Sequence, residues 1–206
     1  ACDNGLVQVR SGVWNHIVFV NLDGKAPELK YYLGPMDKEL EHYDFDCLEM
    51  EHTANWDFHA NWKLVMENWE VYHHVWVHQG VFDLMSDEVD FDTGVPCTDM
   101  IACNNSLMLR PNGLRKESAR PNPVDLPPMP WKPNIPRTPK LSSIANGILP
   151  NVTASMGRIE FAPAVYIPIA PDKTLAKMAW FIPPGVKSDK KLRPEVDKIL
   201  ERWLGP

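Results

Sequence analysis

Apolar residues recur along the chain at spacings that predict a series of elements. Residues 6–10 and 13–22 are rich in β-branched and aromatic side chains, which predicts two strands with Ser11-Gly12 as the turn between them. Asp23-Gly24 closes the second strand, and residues 26–33 predict a short helix ending at Gly34-Pro35. Weak alternation over 44–56 predicts a further strand. Residues 61–74 carry the clearest helical pattern, with Leu64, Val65, Trp69 and Tyr72 forming a one-sided stripe free of Gly and Pro. Residues 99–109 offer one or two strands.

Between Pro111 and Pro139, nine prolines fall within 29 residues. Proline fixes φ and lacks the amide donor, so this segment forms neither a helix nor an interior strand. Loops of that length in compact domains are functional covers or disordered inserts. The β pattern returns at 151–155, 158–169 and 173–182, with Pro171-Asp172-Lys173 as a turn. Residues 194–204 predict a closing helix with proline in its first turn. Strands, helix, long loop, strands and helix, with no internal repeat, define an α+β chain with an antiparallel sheet.

A chain of 206 residues makes one domain or one and a half, enough to bury a core without disulfides. Lys plus Arg is 21 against 27 acidic residues, a net charge of −6, which argues against a nucleic-acid or anionic-membrane footprint. No apolar run approaches the roughly 20 residues of a membrane helix, and no signal-peptide pattern is present. Cys2, Cys47, Cys97 and Cys103 are scattered without a C-x-x-C pair. That excludes a zinc ribbon and makes a reducing, cytoplasmic setting the expectation.

Candidate chemistry concentrates where the predicted helix ends. His73, His74 and His78 fall within six residues, beside Glu67, Glu70 and Asn68. His73 and His78 are five apart, about 140° around a regular helix, so both reach one metal only if the helix bulges or ends between them. Val75-Trp76-Val77 favours such an end. His74 and His78, four apart, are the rival pair. Spacing alone leaves a metal site and a set of hydrogen-bonded, partly buried rings as equal readings. The tryptophans at 62, 69 and 76, spaced by seven, read as packing of the helix against the sheet. Met85, Met100, Met108 and Phe161 are candidates to line a pocket, with a plain core role the stronger reading for each.

The run Asn61-Trp62-Lys63 through Glu67-Asn68, then Glu70, Tyr72-His73 and His78, resembles the catalytic domain of Rieske-type non-haem iron ring-hydroxylating oxygenases, α subunit. Gly5 to Arg10 with Val18 to Asp23 is similar to the strands closing the family's Rieske domain. Ala26 to Leu29 with Tyr32-Leu33-Gly34 is similar to the connection after it, and Pro168 to Thr174 to a late hairpin of the catalytic domain. The resemblance implies a helix-grip (START-like) fold, with 1–25 as the end of a Rieske domain and 26–206 as a catalytic domain incomplete at its C-terminus.

By the same resemblance, His73 and His78 are two ligands of a mononuclear Fe(II), the metal of a 2-His-1-carboxylate triad. Glu70 takes the position of the acid that bridges to a Rieske-cluster histidine of a neighbouring subunit. Asn68 matches the family's Glu-Asn pair near the iron, although the stretch from it to His73 is one or two residues shorter than usual. Neither Cys-x-His nor Cys-x-x-His occurs, so this chain holds no ligands for the [2Fe–2S] cluster. Asp197 and Glu201 lie on the last predicted helix in surroundings unlike the family's carboxylate motif, and neither is expected to be the third ligand. The expectation is an internal fragment, inactive by itself.

The implied activity is hydroxylation or demethylation of a small organic, often aromatic, substrate with O₂ and electrons from NAD(P)H. A reductase or ferredoxin and a homotrimer, with or without a β subunit, are the implied partners. The alternative is a metal-free module of the same fold that binds an apolar ligand. A zinc hydrolase built on His74 and His78 is disfavoured, since no Glu lies between them as general base.

Overall fold

The computed structural model describes residues 5–69, 89–90, 95–96, 98–103, 106–111, 129–134, 144–156 and 159–204. A hairpin opens the chain, β1 (Arg10–Trp14) and β2 (Ile17–Asn21), followed by α1 (Leu29–Leu33), α2 (Pro35–Leu40) and β3 (Glu49–Phe58). Helix α3 (Trp62–Trp69) comes next, then a two-residue pair, β4 (Val89–Asp90) and β5 (Val95–Pro96). Strands β6 (Thr98–Cys103), β7 (Ser106–Pro111), β8 (Ile144–Ile148), β9 (Val152–Met156), β10 (Phe161–Ala170) and β11 (Lys173–Ile182) precede the closing helix α4 (Arg193–Leu204). Among the described residues, the principal sheet has seven strands in the order β3-β11-β10-β9-β8-β7-β6, antiparallel throughout and not closed. The α+β class with an antiparallel sheet is therefore observed.

Period-two alternation decides which side of the sheet each residue serves. On β11, Thr174, Ala176, Met178, Trp180 and Ile182 are all buried, while the residues between them are half-buried or exposed. Ala176, Met178, Trp180 and Ile182 join Ala162, Ala164 and Tyr166 of β10 in one apolar cluster, completed by Val65 and Met66 of α3 and by Val196 and Leu200 of α4. The other face carries Val152, Ala154 and Met156 of β9 with Phe161 of β10. Trp14, Ile17, Leu33, Met36, Leu40, Tyr43 and Phe45 cover them. Burying side chains of this size stabilises by about 1.5–3 kcal/mol each, so each helix is held by the sheet more than by its own propensity.

The opening hairpin corrects the predicted turn. It turns at Asn15-His16, with φ of 44° and 67°, and Trp14 pairs with Ile17 across it. A type I′ two-residue hairpin turn has positive φ at both positions, and Asn and His are among the non-glycine residues that tolerate it. Gly12 lies inside β1 instead, where a Cβ would come within 2.9 Å of Leu29 Cδ2. Its missing side chain lets the hairpin approach α1. Beyond Gly34, at φ 60°, a second helix starts with Pro35 at its first position, which the sequence pattern had merged into a helix end. Strand β8 was not predicted; it holds a glycine and falls just after the proline-rich run.

Candidate active site

Helix α3 carries the candidate site residues or leads to them. Its start is fixed by a set of side-chain bonds. The Asn61 side-chain oxygen accepts the Lys63 backbone N–H at 3.0 Å, an N-cap, while the Asn61 carbonyl accepts the Val65 N–H at 3.2 Å. The Asn61 carboxamide also donates to the Pro171 carbonyl, 2.8 Å away, in the turn between β10 and β11. Three residues later, the buried Thr174 hydroxyl donates to the Ala60 carbonyl at 2.8 Å. The short link from β3 to α3 is thus tied twice to the tip of the β10–β11 hairpin.

Asn68 sits in the last turn of α3 and is exposed. Glu70, His73 and His78 lie outside the described residues, as do His74 and Trp76. Among the described residues, no group of three or more His, Cys, Asp and Glu is placed to hold a metal. Three of the remaining histidines stack or pack. His16 lies flat on Phe181, centroids 4.4 Å apart, with its Nε2–H donating to the Phe45 carbonyl at 2.7 Å. His42 packs between Tyr43 and Trp131, and His52 leans on Trp180.

Asp197 is occupied: Arg193 holds it through Nε at 2.7 Å and Nη2 at 2.6 Å. The same guanidinium reaches Glu51 of β3 through Nη1. Both carboxylates stabilise the charged guanidinium, Asp197 more than Glu51, and raise its pKa. Glu201 is exposed on α4. Among the described residues, neither acid is grouped with other metal-binding side chains.

Of the pocket candidates, Phe161 is fully buried on the face away from α3, against Phe45 at 4.8 Å, and is core. Met85 lies outside the described residues. Trp62 packs on the α3 side of the sheet, in keeping with a packing role. The described part of the proline-rich segment also lies on the opposite face. Met129 joins the hairpin-side cluster, Trp131 bridges to Tyr43, and the Lys132 N–H donates to the His42 carbonyl. That stretch anchors the segment rather than covering the α3 face. A small cleft between β11 and α4, lined by Trp180, Ile182, Val186, Val196 and Leu200, has room for about one water and is a packing gap.

The sequence reading missed the two-ended role of Asn61. The signal was present, since Asn immediately before an apolar helical stripe is an N-cap pattern. Its bond to Pro171, 110 residues away, leaves no local trace.

Comparison with known proteins now bears on this arrangement. Residues 45–205 match the family described as the ring hydroxylating alpha subunit, catalytic domain. A quaternary ammonium Rieske monooxygenase, CntA, solved with an inhibitor, superposes with a TM-score of 0.66 at 14% identity, over 96% of this chain and 46% of that one. Naphthalene 1,2-dioxygenase with indole in its active site superposes at 0.60 and 18% identity, over 96% and 48%. The naphthalene 1,2-dioxygenase of Rhodococcus sp. gives 0.57 at 18% identity, over 85% and 45%. No curated protein matches the chain.

The chain belongs to the ring-hydroxylating α-subunit catalytic domain family, a family of oxidoreductases. It spans a little under half the length of the solved proteins it superposes on. Among the described residues, no helix is long and apolar enough to cross a membrane.

Proposed function

We propose that this chain is the mononuclear-iron portion of a terminal oxygenase component that hydroxylates or demethylates a small organic substrate. The supporting observation is the family match over 45–205, which spans the whole run from Asn61 to His78. His73 and His78 would hold the Fe(II); two neutral imidazoles are nitrogen donors that ferrous iron accepts, with a carboxylate completing a facial set. When bound, the iron supplies O₂ activation.

The protein's own residues would do the rest. The Glu70 carboxylate would accept hydrogen bonds from imidazole N–H groups and hold a ligand ring in one orientation, as outer partners of metal-bound histidines do. Asn68, a neutral donor and acceptor on the last turn of α3, would orient groups near the metal without adding charge. The apolar α3 side of the sheet would exclude water from the reacting centre.

Residues 1–25 would be the closing strands of a Rieske domain, with 26–206 the catalytic domain. The outer face of the β1–β2 hairpin supports this, since Val13, Val18 and Val20 are 70%, 66% and 63% exposed on one side. An apolar strand face of that kind is one that further protein covers. The [2Fe–2S] cluster, a reductase or ferredoxin carrying electrons from NAD(P)H, and a trimeric assembly bridged through Glu70 belong to the same reading.

The test is substrate-dependent incorporation of isotopically labelled O₂ by the intact protein supplied with a reductase and NAD(P)H, across aromatic and quaternary ammonium substrates. Label in product, lost in His73→Ala and slowed with both metals retained in Glu70→Gln, is the expected result. Wild-type turnover by His73→Ala would overturn the assignment. Tight binding of apolar ligands without iron or turnover would replace it with a binding module.

A further inference from the structure

The strongest unassigned feature is the pair of ties that fixes the start of α3. The helix is eight residues long, or about 12 Å at 1.5 Å per residue. A swing of about 10° at Asn61 would therefore move its far end by roughly 2 Å. Metal–ligand distances tolerate only about 0.2 Å. Glu70 follows the last residue of α3 directly, and His73 comes three residues later. Val65 and Met66 seat the helix on the sheet through apolar contact, which resists lifting better than sliding because it is not directional.

Direction is supplied at the helix start. Asn61 satisfies one of the helix's orphan N–H groups with its oxygen and grips the Pro171 carbonyl with its nitrogen. Thr174, wholly buried, grips the carbonyl of the preceding residue, Ala60. On the far side, Pro171 lies in the turn between β10 and β11 and Thr174 lies on β11, and the two strands keep one register from Phe161↔Phe181 to Pro168↔Thr174 before it shifts at the tip. We propose that Asn61 and Thr174 are positioning residues for the metal-ligand segment: they lock the azimuth of α3 to the β10–β11 hairpin so that the histidines beyond it meet one ion. This rests on the assignment of His73 and His78 as ligands.

The test separates cap from tie. In the intact protein, Asn61→Asp keeps an oxygen for the Lys63 N–H but has no N–H for Pro171. Thr174→Val keeps the volume and loses the hydroxyl, and Thr174→Ser restores it. Ferrous-iron affinity is read by competition with a ferrous chelator, beside the thermal midpoint and with His73→Ala as reference. Asn61→Asp and Thr174→Val should each bind iron about tenfold more weakly, the low end for groups that orient metal ligands. Their thermal midpoints should stay near wild type, and Thr174→Ser should recover wild-type affinity. Wild-type iron affinity in folded Asn61→Asp and Thr174→Val, while His73→Ala loses iron, overturns the positioning role and leaves the ligand assignment standing. A lowered midpoint with unchanged affinity also overturns it, showing ties that serve stability alone. Iron retained by His73→Ala overturns the ligand assignment and this proposal with it.

Discussion

Tyr43 shows how much a single buried group can report. It is buried on the hairpin side of the sheet, edge-on to Trp131 and Phe45, and burial pushes its phenol up to about 12 from the ordinary 10.0. A folded-state pKa above the unfolded one gives stability that is whole below the unfolded pKa and lost as pH rises through the folded one. Folding stability should hold to about pH 10 and then fall, with Tyr43 contributing about 1 kcal/mol of the loss by pH 11. Chemical denaturation of wild type and Tyr43→Phe from pH 8 to 11 checks this. The gap between them should narrow above pH 10, and a constant gap would show that Tyr43 titrates normally. At this scale the sequence is legible in residue type and opaque in partner. Gly12 looked like a turn and is a close approach to Leu29, while the turn itself uses Asn15 and His16. His16 tolerates its backbone conformation because the ring gains the Phe181 stack and the Phe45 carbonyl. Nothing local in the sequence announces either contact.

Elements were legible where one face is buried. The apolar runs of β10 and β11 and the stripe on α3 gave their positions, because period and run length follow from geometry. The omission of α2 and of β8 came from Gly and Pro, whose meaning depends on tertiary context. The contacts between elements carried no such signal. Arg193 at the start of α4 meets Glu51 of β3 across 142 positions of sequence. The Glu51 side chain is only 4% exposed, and Arg193 is its ion-pair partner. Arg193→Ala should destabilise by about 3 kcal/mol, because it leaves a carboxylate buried without its counter-ion. Glu51→Gln combined with Arg193→Met should cost less than half as much. Urea denaturation of wild type and the two variants measures it, and equal losses would show that Glu51 stays solvated without Arg193.

At the scale of the molecule, the sheet divides its labour. One face receives the hairpin, α1, α2 and the anchored end of the proline-rich segment; the other receives α3 and α4. On the reading proposed above, the site belongs to the α3 side, and the family match favours a metal centre over a packed cluster of histidines. Periodicity and spacing left a metal centre and a packed set of rings equal. What tipped the reading was the ordered run from Asn61 to His78, a pattern of chemistry rather than of hydropathy. The outward valines of the hairpin fit the same account, in which this chain is part of a larger α subunit. The most direct measurement is the mononuclear ferrous iron content of the intact protein, counted for wild type, His73→Ala and His78→Ala beside the optical spectrum of the Rieske cluster that the proposed function assigns to it. The account predicts one mononuclear iron per chain in wild type, lost in either variant with the spectrum unchanged. Iron retained in both variants would contradict it.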